Sequence, residues 1–133
     1  MTTIVQLGSC TIPAGLLQAG DRLAIRATWS HGGITGDVLS RLRWGTSVAA
    51  GYTSNLTAAV AETQAEVALH TGGAIVSSSH AAAGAAMSTK LESLSGPYST
   101  GLTIGFEGNP LANGDSLGLL QFTVIRYPAQ SNP

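Results

Sequence analysis

Leu111-Ala-Asn-Gly-Asp-Ser-Leu-Gly-Leu-Leu-Gln-Phe-Thr-Val-Ile-Arg-Tyr127 reads as a tight turn feeding one long terminal strand, and the rest of the chain makes most sense as its partners. Asn113-Gly114 tolerates positive φ at a turn, and the run that follows is rich in β-branched and aromatic residues with no breaker before Pro128. Strict alternation sends Leu120, Phe122 and Val124 to a sandwich core. Leu117, Leu119 and Ile125 then fall on the opposite face among Gln121 and Thr123. A wet outer sheet face does not ordinarily carry leucines, so Leu117, Leu119 and Ile125 are the candidate subunit interface, on a strand expected to be central in its sheet.

The opening pattern has an echo. Leu17-Gln-Ala-Gly20-Asp21-Arg-Leu23 and Leu111-Ala-Asn-Gly114-Asp115-Ser-Leu117 share Leu-x-x-Gly-Asp-x-Leu, each ahead of a long strand. A glycine free to take unusual φ, followed by an aspartate able to bond back to turn amides, is a turn device. After the first copy, Leu23, Ile25, Ala27 and Trp29 share one face while Arg22, Arg26 and Thr28 take the other, and His31-Gly32-Gly33 closes the strand. Val38, Ser40, Leu42 and Trp44 repeat the logic opposite Leu39, Arg41 and Arg43. A first strand is expected to end near Ile12, ahead of Pro13, and a late one to run through Leu102, Ile104 and Phe106.

The middle is harder. Thr57 to Leu69 favours helix by its alanine and glutamate content. Ala65, Val67 and Leu69 nevertheless alternate with Glu66 and Ala68, and Thr71-Gly72-Gly73 leads into Ala74-Ile-Val-Ser-Ser-Ser79, so a hairpin is read, with room for one helical turn before Glu62. Thr46 to Asn55 is small and polar, with a short strand around Val48 and Tyr52 in a loop. Ala81 to Ala86 reads as a loop or a poorly filled strand, and Lys90 to Leu94 as a strand end. Short strands at turn-punctuated spacing imply an all-β antiparallel sandwich, a jelly roll, in one domain over residues 1–128 with a frayed tail at 129–133.

The bulk numbers agree. With 133 residues, the chain can bury about two-thirds of its unfolded surface in one domain. The lone Cys10 excludes an intrachain disulfide. A formal net charge of −1 gives no footprint for nucleic acid or an anionic membrane, and no stretch approaches the ~20 apolar residues of a membrane span. Met1-Thr2-Thr3 starts directly on a strand-like pattern, so no signal peptide is expected. Charged residues are 10% of the chain against roughly 25% in an ordinary soluble domain. Either the surface is made of neutral polar residues, or part of it is covered by further copies of the chain.

Ile12-Pro-Ala-Gly-Leu-Leu-Gln-Ala-Gly-Asp-Arg-Leu-Ala-Ile-Arg-Ala27, Leu42-Arg-Trp-Gly45, Leu102-Thr-Ile-Gly-Phe-Glu-Gly108 and the strand from Gly114 to Arg126 together resemble small jelly-roll domains of tailed bacteriophages, found at fibre and spike tips and as capsid decorations. The resemblance implies a tumour-necrosis-factor-like topology, a homotrimer, contacts with other virion proteins and, in many such domains, a head that binds host surface glycan. It implies a virion location and no enzyme activity.

No catalytic motif competes with that expectation. His31, His70 and His80 could join Asp37, Glu66 or Cys10 as ligands or a triad, but the spacing matches no metal or nucleophile signature, so no cofactor is assigned. The seven carboxylates are scattered, which leaves a polysaccharide hydrolase without a recognisable acid pair. A stand-alone carbohydrate-binding module is the stronger alternative. Tyr52 and Tyr98, in turn-like stretches, are its candidate glycan-stacking rings. Arg22, Arg26, Arg41 and Arg43 are read as a charge ladder with Glu66 and Glu107 rather than a bare basic stripe.

Overall fold

The computed structural model describes residues 4–33, 38–54, 60–71, 73–82, 92–94, 98–110 and 114–129. Their nine strands are β1 (Val5–Ile12), β2 (Arg22–Gly32), β3 (Val38–Trp44), β4 (Ser47–Ser54), β5 (Val60–His70), β6 (Gly73–Ala82), β7 (Glu92–Leu94), β8 (Leu102–Pro110) and β9 (Ser116–Tyr127). They form two antiparallel sheets, β1-β8-β3-β4 and β7-β6-β5-β2-β9. The β3–β4 and β5–β6 hairpins are local, while β1–β8 and β2–β9 close the chain over long range. The all-β antiparallel sandwich expected from the turn spacing is therefore the fold.

Alternation explains the layers. Leu23, Ile25, Ala27 and Trp29 of β2, Leu42 and Trp44 of β3, Ala65, Val67 and Leu69 of β5, and Ile104 and Phe106 of β8 are buried between the sheets. Each large side chain removed from water there contributes roughly 1.5–3 kcal/mol. One polar string crosses the core: Trp29 Nε1 donates to Thr63 Oγ1 at 3.1 Å, and that hydroxyl lies 3.3 Å from Ser40 Oγ on the other sheet. The Thr57–Leu69 ambiguity resolves as strand from Val60, because pairing Leu23 with Val67 and Ile25 with Ala65 buries three inward side chains that a helix would scatter. Residues 55–59, where a helical turn was open, lie outside the described residues, as do 83–91.

Three expectations need correction. β9 is the last strand of its sheet, paired only with β2, and is not central. Its side chains also change phase. A bulge between Thr28 and Trp29 pairs Thr28 with Gln121 but Trp29 with Leu119, so Leu120 is the extra residue. Leu117 and Leu119 consequently pack on the core beside Phe122 and Val124, whereas Leu120 is 58% exposed and Ile125 47%. Gly8 and Gly108 on the facing sheet make room: a Cβ on Gly8 would stand 2.6 Å from Leu119 Cδ2, and one on Gly108 2.6 Å from Leu117 Cδ2. Phe122 meets Phe106 with ring centroids 4.3 Å apart. Finally, Tyr52 lies in β4 opposite Ser40 and not in a loop, since the strand around Val48 runs on to Ser54.

The bulge makes adjacent leucines inequivalent. Leu119→Ala should lower the unfolding free energy by about 2 kcal/mol, while Leu120→Ala should change that of the dissociated chain by less than about 0.5 kcal/mol, as read from urea midpoints at constant slope.

Candidate functional site

The two Gly-Asp turns lie at the two ends of the β2–β9 ladder. Gly20 and Gly114 both adopt left-handed backbone, with φ of 93° and 95°. Because β2 and β9 run antiparallel, Arg22 opposite Tyr127 and Gly32 opposite Ser116, each turn lies beside the far end of the other's strand. Asp21, 2% exposed, accepts from the Gln18 amide at 3.0 Å, from Arg126 Nε at 2.8 Å and from the Ala129 amide at 2.8 Å. At the opposite end Asp115 Oδ2 lies 3.2 Å from His31 Nε2, both side chains 1% exposed. Gly33, at φ 93°, leaves room there, because a Cβ would collide with the Asp115 carboxylate. Ala129, the first residue of the tail, belongs to the Asp21 cluster through its amide, and residues 130–133 lie outside the described residues.

Burial alone would raise the Asp21 pKa, but the Arg126 guanidinium and the Gln18 and Ala129 amides outweigh it and hold the carboxyl below its usual range.

β1 and β9, the last strands of the two sheets, stand on one side of the sandwich. Among the residues whose side-chain burial is described, a set without 38, 50–54, 60–61, 75–82, 92–93 and 110, the exposed large apolar ones are Val5, Leu7, Leu16, Leu120, Ile125 and Tyr127, all on β1, β9 or the loop after β1. Between the two strands is an apolar crevice of about 220 Å³, lined in part by Cys10, Ile12, Leu16, Leu23 and Val124. Of the interface residues inferred from sequence, Ile125 is at this surface. Leu117 and Leu119 are turned inward by the bulge. Leu120 is the residue that strict alternation misplaced.

The outer face of the larger sheet carries a shallow trough of mixed character, about 410 Å³, lined by Arg26, Thr28, Glu62, Gln121, Phe122, Thr123 and Ile125, with a smaller depression of about 180 Å³ beside it reaching Gln64 and Glu66. Its charges are paired: Arg26 Nη2 donates to both oxygens of Glu62 at 2.8 Å, and Arg22 Nη1 to Glu66 at 3.1 Å. The Arg22 guanidinium also covers the Tyr127 ring, 4.3 Å from its centroid. Arg41 reaches Glu107 at 2.9 Å on the other sheet, with Arg43 at 3.8 Å. The arginines thus form two ladders on opposite outer faces, each exposed pair worth about 0.2–1 kcal/mol.

Tyr98 is unsuited to stacking on a sugar. It is 8% exposed, and its hydroxyl donates to the His70 carbonyl at 2.9 Å, anchoring its turn to the end of β5. Tyr127, not singled out from the sequence, is 43% exposed. His31 pairs with Asp115, and His70 Nδ1 donates to the Thr71 carbonyl at 3.1 Å, while Asp37 lies outside the described residues. Among the described residues no three or more His, Cys, Asp or Glu side chains are placed to hold a metal ion, and no helix is long and apolar enough to cross a membrane.

Fold and surface together define a small all-β two-sheet antiparallel sandwich with one apolar edge. Compared with protein-family models, curated proteins and solved structures, the chain gives no match.

The Asp21 cluster has a signature in acid. Its folded pKa is depressed, so its contribution is complete above the unfolded value near 4 and is lost as pH falls through the folded value. Stability in urea should fall below about pH 4, and Asp21→Asn should be less stable at pH 7 with a flatter acid limb.

Proposed function

We propose that this chain is a structural protein of a tailed-bacteriophage virion, a homotrimeric sandwich knob or a capsid or tail decoration that packs against other virion proteins. It is made in the host cytoplasm and acts in the particle without catalysing a reaction. The observation that carries this reading is the gathering of exposed large apolar side chains onto the β1 and β9 side of a chain with 10% charged residues. A free-standing monomer gains nothing from that arrangement. The phage-like signature of the strands and turns supplies the setting.

Sedimentation at micromolar concentration tests it. A species of three times the 13.4 kDa chain mass is expected, and monomer alone overturns the trimeric reading.

The outer trough favours a second role for the same domain, or the alternative of a free carbohydrate-binding module. Its amide, hydroxyl and paired charged groups beside Ile125 offer many donors and acceptors with no bare net charge, which suits a neutral sugar chain better than an acidic one. On a glycan array, binding to neutral saccharides that weakens at least tenfold in Gln121→Ala or Glu62→Ala is expected. Silence across the array would leave a purely architectural protein.

A further inference from the structure

We infer that the homotrimer is closed by two different edges, β9 of one subunit lying along β1 of the next, so that sheets continue from subunit to subunit around the axis. The inference rests on the homotrimeric reading above and specifies how its contact is built.

Topology supplies the first reason. β1 is paired only with β8, and β9 only with β2, so each presents a strand edge whose outward amides and carbonyls have no strand beside them among the described elements. An extended backbone edge is matched by another extended backbone. Each edge is interrupted by a bulge, at Leu7 in β1 and at Leu120 in β9, which pushes that leucine outward, but neither carries charged guards. β1 carries no charged residue from Val5 to Ile12, and β9 none from Ser116 to Ile125. Neither stretch up to Thr11 or Tyr127 contains the lysines or prolines that ordinarily keep edge strands apart. The one cation of β9, Arg126, is engaged by Asp21. Two such edges can meet without like-charge repulsion.

Geometry supplies the second. The two edges are on the same side of the sandwich, since Leu119 of β9 packs onto Gly8 of β1 and the apolar crevice lies between them. A twofold contact of β9 with β9 would cover one edge and leave β1 with Val5 and Leu7 in water. A cyclic contact of β9 with the next subunit's β1 covers both edges of every copy and closes on itself. The level at which the strands meet follows as well. The trimer inferred here has its axis alongside the strands, and rotation about such an axis preserves height; with Leu119 beside Gly8 within one chain, Leu120 then meets Leu7 of the neighbouring copy.

A charge swap tests the pairing on the full-length chain. Leu7 and Leu120 are 37% and 58% exposed, so charged replacements leave the core intact, which circular dichroism and urea midpoints verify. Leu120→Lys alone and Leu7→Glu alone should each weaken trimer formation on the order of 100-fold in sedimentation. The double variant L7E/L120K should recover at least tenfold of that loss, because lysine then faces glutamate only if β9 meets β1. As an independent reading, L7C and L120C chains, each also carrying Cys10→Ser, are co-assembled and oxidised. Disulfide-linked pairs should exceed those of either variant alone by about tenfold. A wild-type trimer with no charge rescue and no mixed link overturns the edge pairing while leaving the homotrimer standing, as would dominant L120C–L120C links. A wild-type monomer overturns both.

Discussion

Everything in this sandwich depends on the ladder between β2 and β9. It joins residues 22–32 to residues 116–127, and it is fastened at both ends by a buried aspartate donated from the turn that launches the opposite strand. Asp21 holds Arg126 and the Ala129 amide, and Asp115 holds His31. Because each carboxylate is buried and met by partners, removing one partner would leave an uncompensated polar group inside, a larger cost than the net value of the bond itself. The register of the terminal strand is set by these fixed ends, and the length mismatch between them is taken up by the bulge at Leu120.

From that register the core follows. With the ends pinned, Leu117, Leu119, Phe122 and Val124 turn inward, and the facing sheet accommodates them with Gly8, Gly108 and Phe106. The same constraint pushes Leu120 and Ile125 out to the open edge. A surface that reads as an assembly edge is therefore a by-product of how the two strand ends are tied, and core and surface cannot be altered independently along β9.

Much of this was legible in the residues. Period-two alternation located the inward faces of β2, β3, β5 and β8, and the doubled Leu-x-x-Gly-Asp-x-Leu pattern marked the turns at which Gly20 and Gly114 adopt positive φ. What alternation could not show was its own interruption. Leu117, Leu119, Phe122 and Val124 carry a change of parity between Leu119 and Phe122, and a strict period-two reading put Leu120 where Leu119 belongs. Tyr98 was misjudged for a related reason: a turn-like sequence says nothing of whether its ring folds back to a carbonyl such as that of His70. The partners of the two aspartates were equally hidden, since Asp21 and Arg126 are 105 positions apart and no local spacing connects them.

That separation has a temporal meaning. A ladder between the second strand and the last is a contact of very long sequence range, and such contacts slow folding because the intervening loop must close before they return any stability. During synthesis, Leu23, Ile25 and Trp29 have β5 alongside them well before β9 exists, and the Asp21 carboxylate waits for Arg126, 105 positions later. The open edge of β1 forms with β8, and that of β9 only when its ladder with β2 closes. The β9 edge therefore takes shape only on a β2 strand already backed by β5, so its exposed Leu120 comes to the surface in the same event that buries Leu119 and Phe122.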